Sequence, residues 1–63
     1  MGYTVQALKG EKVAIQGRTK DKEEAEFKAE TFWQSVNNFG NPSNLTEVRV
    51  LDPNGEIHIQ FEF

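Results

Sequence analysis

Residues 56–63 alternate polar and apolar side chains without interruption to the last position of the chain. Because successive side chains of a strand point to opposite faces, this pattern predicts a half-buried β-strand. Its predicted inner face carries Ile57, Ile59, Phe61 and Phe63, and its outer face carries Glu56, His58, Gln60 and Glu62. These are the largest inward side chains of any predicted strand, so we expect the strand to be central. A chain that ends in core residues is expected to form one complete domain over residues 1–63.

A chain of 63 residues without cysteine must be held together by one small hydrophobic core. Domains of this size bury only about 60% of their unfolded surface, and many rely on disulfides or metals. Neither is expected here, because thiols are absent and His58 is the single histidine. The sequence therefore predicts a metal-free and cofactor-free domain.

Alternating and helical periodicities divide the chain into two hairpins that flank one helix. Strands are predicted at about 3–8, 12–17, 45–51 and 56–63, and the helix at about 22–38. Asp21 stands at the N-cap with Glu24 three residues later, and Gly40 stands where a left-handed C′ residue belongs. Glu24 and Lys28 form a favourable i,i+4 pair. The apolar stripe expected to face the sheet comprises Ala25, Ala29, Phe32, Trp33, Val36 and Phe39.

Both hairpins leave their register open. In the first, pairing Val5 with Val13 or with Ile15 keeps the apolar side chains on one face. In the second, residues 52–55 (Asp-Pro-Asn-Gly) are typical of a three-residue type I loop with a glycine bulge, which places charged side chains beside Phe61. A two-residue or four-residue loop instead pairs Val48 and Val50 with the apolar residues of the last strand. We favour this second register, because a one-residue slip would bury charges.

The elements predict an α+β fold with two-layer ββαββ architecture, in which one helix covers one face of a four-stranded mixed sheet. The favoured strand order is 2-1-4-3, with the first and last strands parallel and the second and third strands at the edges. This layout resembles the β-grasp architecture of small bacterial immunoglobulin-binding domains. The resemblance covers the order of the elements and assigns no functional residue.

The net charge of −3 is concentrated in the segment of the predicted helix. Residues 21–39 contain five acids and two bases, an imbalance equal to that of the whole chain. No basic stripe is present for a phosphate backbone, so direct nucleic-acid binding is not expected. No apolar run of signal-peptide or membrane-spanning length occurs either, so we expect a cytoplasmic protein without membrane contact.

His58 is the one residue that suggests acid–base chemistry. The alternation places its side chain on the open polar face of the sheet, where we expect neither a pocket nor a second oriented group. We therefore predict no catalytic residue and no enzyme activity.

Phe27 is the aromatic residue that does not fit the predicted core. At about 100° per residue it lies about 200° around the helix from Ala25, on the side opposite the apolar stripe. Its neighbours on that side are Glu23, Glu30, Thr31 and Gln34. Phe27 is either a scattered surface residue or the aromatic anchor of an interface framed by polar and acidic groups. Our hypothesis is that Phe27 contacts a partner protein.

The preferred function is a non-enzymatic protein-binding module that occupies a partner's surface through the acidic helix or a sheet edge. An acidic helix favours a basic partner. The size and composition fit an inhibitor or adaptor encoded by a phage or mobile element, in which case the compartment is the host cytoplasm. The alternatives are a nucleic-acid- or nucleotide-binding domain that uses the open sheet face and a small subunit of a larger assembly. Both a monomer and an edge-paired homodimer are compatible with the predicted fold.

Overall fold

The computed structural model of the protein describes residues 2–63. Its elements are β1 (Tyr3–Lys9), β2 (Lys12–Thr19), α1 (Lys22–Phe39), β3 (Glu47–Leu51) and β4 (Ile57–Glu62). The predicted α+β class, with four strands in one sheet and one helix, is confirmed. The predicted domain over 1–63 includes Met1, which lies outside the described residues.

The strand order in the sheet is β2-β1-β3-β4, and every neighbouring pair of strands is antiparallel. The predicted order 2-1-4-3, the mixed sheet and the parallel pairing of the first and last strands are therefore wrong. The β-grasp resemblance fails with them. β3 is central and β4 is an edge strand, so the predicted edge position is correct for the second strand and wrong for the third.

Small side chains explain why β3, rather than β4, lies beneath the helix. Val48 and Val50 of β3 are completely buried, and so are Ala25 and Ala29 on the underside of α1. Alanine allows the helix to approach the sheet closely, and valine fills the narrow space that remains. The larger inward side chains of β4, Ile59 and Phe61, need more room. Phe61 therefore packs at the flank of the helix, where its ring stacks on Trp33 with the ring centroids 5.1 Å apart.

The second hairpin combines the loop that its sequence favours with the pairing that its apolar residues require. The amide of Gly55 donates to the carbonyl of Asp52 at 2.9 Å, and the amide of Asp52 donates to the carbonyl of Glu56 at 2.8 Å. With Gly55 at φ +88°, this is the three-residue type I loop with a glycine bulge. The favoured two-residue or four-residue loop is therefore wrong.

A β-bulge at His58 restores the apolar register after this loop. Leu51 pairs with Ile57 and Val50 pairs with Ile59, so His58 is an extra residue in β4. The favoured pairing of Val48 and Val50 with the apolar residues of β4 is confirmed. The bulge interrupts the alternation of inward and outward side chains in residues 56–63. Ile57, which was predicted to face inward, pairs with Leu51 and is 50% exposed.

The first hairpin also contains a bulge, and neither predicted register is correct. A two-residue turn joins Lys9 to Lys12, with Gly10 at φ +64°. The register then shifts by one residue at Ala14, so that Val5 lies opposite Gly17. Because of this shift, β2 extends beyond the predicted end at Gly17 to Thr19. Both edge strands of the sheet therefore contain a bulge.

The helix begins at Lys22 as predicted and ends at Phe39, with Gly40 at φ +107° after it. Asp21 occupies the N-cap position, but its side chain makes no capping hydrogen bond, so the predicted capping box is wrong. The carboxylate of Glu24 instead pairs with Lys28 at 3.1 Å, as the i,i+4 spacing predicts.

Phe39 is 89% exposed, so its predicted place in the core is wrong. An 18-residue helix is about 27 Å long, whereas the five residues of β3 span only about 17 Å. The helix is therefore longer than the central strand beneath it, and its last residue finds no apolar surface to cover.

The loop geometry predicts how two glycine substitutions differ. Gly55→Ala should lower the free energy of unfolding by about 1–2 kcal/mol, because an L side chain is strained at positive φ. Gly17→Ala is the matched control, since an added Cβ meets nothing within 4 Å there. We expect Gly17→Ala to raise the free energy of unfolding by roughly 0.5 kcal/mol. Urea denaturation measures both values, and equal effects would contradict the loop assignment.

Candidate functional site

The outer face of α1 presents one large aromatic side chain to solvent. Phe27 is 68% exposed and lies on the side of the helix opposite the buried Ala25 and Ala29. The side chains predicted to surround it on that face are Glu23, Glu30, Thr31 and Gln34, and all four are exposed. We refer to these five residues as the Phe27 face. The structure thus places the predicted site residues on one helix surface, and their role in binding stays a prediction.

The Phe27 face carries carboxylates that are free to meet a partner. Glu24 pairs with Lys28, and Glu26 pairs with His58. Among residues 2–63, Glu23 and Glu30 have no salt-bridge partner within 4.0 Å. The face therefore combines an apolar centre with unneutralised negative charge.

His58 lies on the helix side of the sheet, so the prediction that it faces the open side is wrong. The Nε2–H group of His58 donates a hydrogen bond to Oε2 of Glu26 at 2.6 Å, because a carboxylate oxygen can only accept. The Tyr3 ring packs edge-on against the imidazole, with the ring centroids 5.9 Å apart. The bulge in β4 causes this reversal, since it turns one residue of the strand toward the helix.

The contact between His58 and Glu26 joins α1 to edge strand β4. It has a parallel at the other end of that strand, where Nε1–H of Trp33 donates to the carbonyl of Glu62 at 3.0 Å. Both hydrogen bonds connect the helix to the same strand. They fix β4 to the helix flank, so we assign His58 a structural role.

A groove of about 220 Å³ opens on the opposite flank, between α1 and edge strand β2. Val5, Ala7 and Val48 of the sheet line it beneath Phe32. Ile15 of β2, which is 54% exposed, also lines it. Sequence reasoning missed this groove because it placed Ile15 in the core. The signal that was present is Gly17, a glycine inside a strand that also lines the groove.

The open face of the sheet carries a row of polar side chains that bond to one another. The Nε2 amide of Gln6 donates to Oε1 of Gln16 at 2.8 Å, and Nε of Arg49 donates to Oε1 of Gln6 at 2.9 Å. Gln60 of β4 donates in turn to Oε2 of Glu47 at 2.8 Å. These contacts link side chains of all four strands across the open face, and the alternative function at this face stays a prediction.

The pair formed by His58 and Glu26 predicts a measurable coupling. A double-mutant cycle with His58→Ala and Glu26→Ala should give an interaction free energy of about 0.5–1 kcal/mol, because both groups are partly screened by solvent. The matched control is the cycle for Glu24 and Lys28, a more exposed pair that should give about 0.3 kcal/mol. Urea denaturation of the single and double variants measures both. A coupling near zero for the first cycle would contradict its role in joining β4 to the helix.

Comparison of the chain with protein-family models, curated proteins and solved structures returns no match. Across residues 2–63, no helix has both the length and the apolar character needed to span a membrane. Within the same described part of the chain, no cluster of three or more histidine, cysteine or acidic side chains is placed to hold a metal ion. The Phe27 face and the groove beside β2 are therefore the two candidate surfaces of the protein.

Proposed function

We propose that the protein is a non-enzymatic protein-binding module that binds a basic partner protein through the Phe27 face. The observation that carries this proposal is the 68% exposure of Phe27 on the face opposite the core. An exposed phenylalanine forfeits roughly 1.5–3 kcal/mol of burial free energy, which a partner recovers when it covers the ring. The fold does not require an aromatic side chain at this position.

The chemistry around Phe27 indicates the kind of partner. Interfaces place large aromatic residues at their centre and polar groups at their rim, and the Phe27 face has this arrangement. Glu23 and Glu30 contribute negative charge that the described residues do not neutralise. A surface with lysine or arginine around an apolar pocket is complementary to it, and the attraction accelerates encounter.

The edge strands support binding through the helix rather than self-association along the whole sheet edge. Bulges in edge strands twist the edge and obstruct continuous pairing with another strand. β2 contains such a bulge at Ala14, and β4 contains one at His58. The proposal therefore takes the unbound protein to be a monomer. It acts as an inhibitor or adaptor in a cytoplasm, that of the host if a phage encodes it.

The proposal predicts different effects for two exposed phenylalanines. Phe27→Ser should weaken binding of the partner by roughly thirtyfold, the factor that corresponds to a hot-spot residue worth about 2 kcal/mol. Phe39→Ser is the matched control, because it makes the same change at an exposed site outside the Phe27 face. The wild-type protein and both variants are immobilised and exposed to lysate of the source cells, and the bound proteins are quantified by mass spectrometry. Thermal unfolding should show that all three are equally folded.

A charge variant tests the basic character of the partner. The partner is the protein that the wild type retains from the lysate and Phe27→Ser does not. The double variant Glu23→Gln with Glu30→Gln should associate with this partner more slowly, and its binding should depend less on salt concentration. Two outcomes contradict the proposal. One is that no protein distinguishes Phe27→Ser from Phe39→Ser. The other is that binding of the distinguished protein is insensitive to salt and to the charge variant.

A further inference from the structure

The groove between α1 and β2 is an unfilled margin of the hydrophobic core. Val5 and Phe32 pack against the buried core cluster, yet both are only half-buried, and Ile15 is exposed. All three side chains line the groove of about 220 Å³. An apolar lining gives water few hydrogen-bond partners, and cavities of this kind bind apolar molecules instead. The groove therefore offers apolar surface that a bound molecule would cover.

Gly17 gives the groove its depth. Its pairing with Val5 directs it to the helix side of the sheet, and a Cβ added there would meet nothing within 4 Å. Its φ lies outside the left-handed region, so the backbone does not require glycine. Glycine inside a strand destabilises the strand relative to alanine, and it is typical of a position that a ligand approaches closely. The space left by the missing side chain is available to such a ligand.

The groove is long and narrow. Its β2 wall consists of the inward positions Ile15, Gly17 and Thr19, which together span about 13 Å of strand. Spread over that length, the groove volume corresponds to a width of roughly 4 Å, close to the separation of carbon atoms in contact. This width accommodates one extended methylene chain. At about 30 Å³ for each group of the size of a water molecule, the groove holds about seven carbon atoms.

Thr19 places a polar group at one end of this apolar wall. The residue is 9% exposed, and among residues 2–63 its hydroxyl has no hydrogen-bond partner. Every fully shielded side-chain nitrogen or oxygen in the described part of the chain has a partner, so this hydroxyl is accessible from the groove that it lines. A hydroxyl both donates and accepts, so it can bond to a hydroxyl or a carbonyl of a ligand.

The lining of the groove presents no unpaired charge. Arg18 pairs with Thr4, which directs its side chain to the open face of the sheet, away from the groove. The ammonium group of Lys28 at the rim is paired with Glu24 at 3.1 Å. None of the described lining residues is acidic. A neutral ligand suits this site, because an ion would leave water without gaining a counter-ion.

We propose that the groove binds a small neutral molecule with one unbranched chain of about six to eight carbon atoms and a hydroxyl or carbonyl end group. The chain lies along β2 over Ile15 and Gly17 and beneath Phe32, and the polar end group bonds to the Thr19 hydroxyl. This site is additional to the Phe27 face and does not depend on the function proposed for that face.

The structure favours a free small molecule over a protein segment. The bulge at Ala14 interrupts the edge of β2, and bulges in edge strands hinder pairing with an added strand. The volume of about 220 Å³ lies below the range of about 300–1,000 Å³ that drug-sized ligands occupy, so the ligand is smaller than these.

The test titrates the protein with straight-chain primary alcohols from butanol to decanol and follows its amide chemical shifts. Affinity should rise about two- to fourfold with each added methylene, because each one that enters the groove leaves water. The increase should stop at about eight carbon atoms, when the groove is full. The shifts should change along β2 and beside Phe32, and not on the Phe27 face.

Two lining residues provide variants with matched controls. Gly17→Val should weaken octanol binding at least tenfold, because the valine side chain fills the middle of the groove, and should unfold at an equal or higher urea concentration. Gly17→Ala should show a smaller loss and serves as a second variant if Gly17→Val folds poorly. Thr19→Val should weaken octanol binding about fivefold, the factor for one net hydrogen bond, whereas Thr19→Ser should largely retain it. Phe27→Ser should leave it unchanged.

Four outcomes overturn the proposal. The first is that no alcohol shifts the amides of β2, and the second is that affinity keeps rising through decanol, as it would for unspecific adsorption. The third is that Gly17→Val or Thr19→Val binds octanol as the wild type does. The fourth is a wild-type dimer in sedimentation that Gly17→Val abolishes, which would assign the groove to a second copy. Because Phe27→Ser is silent here and decisive for the Phe27 face, either proposal can fail without the other.

Discussion

The close contact between two alanines of α1 and two valines of β3 determines how the rest of the molecule is arranged. Ala25, Ala29, Val48 and Val50 belong to one core cluster, and all four side chains are completely buried. Because small side chains let the helix sit low over the centre of the sheet, the helix covers β1 and β3 and leaves both edge strands at its flanks. The side of the helix opposite these alanines faces solvent. Phe27 is exposed because it lies on that side.

The two flanks of the helix are closed to different extents. On the β4 side, Trp33 stacks on Phe61 and donates to the Glu62 carbonyl, and Glu26 accepts from His58. No comparable set of helix-to-strand hydrogen bonds occurs on the β2 side of the described residues. There the flank is made of Phe32 and Lys28, and the strand offers Gly17 in place of a large side chain. The groove results from this asymmetry, since a helix centred on the sheet needs side chains from both edge strands to close its margins.

Local patterns predicted the helix well because its signals lie within a few residues of one another. The start at Lys22, the end near Gly40 and the pair formed by Glu24 and Lys28 all depend on spacing along one helix. The exposed Phe27 follows from the same periodicity. The prediction that the apolar stripe continues into the core at Phe39 was wrong. The exposure of Phe39 depends on how far the strands beneath the helix extend, which the periodicity of the helix does not show.

The strand order and the position of His58 depend on relations that periodicity does not contain. Large inward side chains in the last strand indicated a central position, but the space beneath α1 is set by Ala25 and Ala29 and suits valine better than phenylalanine. At His58, the loop sequence and the apolar pattern demanded registers that differ by one residue. The chain satisfies both by inserting a bulge. A conflict of this kind in a sequence is itself a signal for a bulge, and the bulged residue is then the one whose predicted face should be reversed.

The Phe27 face and the groove lie on different sides of one helix and differ in chemistry, since the first carries Glu23 and Glu30 and the second is lined mainly by apolar side chains. Phe27 and Lys28 are adjacent in sequence, yet about 100° of helical rotation directs one away from the sheet and the other toward the rim beside β2. Neither surface contributes a side chain to the other. Free energies of binding at sites that share no contacts are expected to add. A molecule bound to the Phe27 face would therefore leave the groove accessible without any change in the fold.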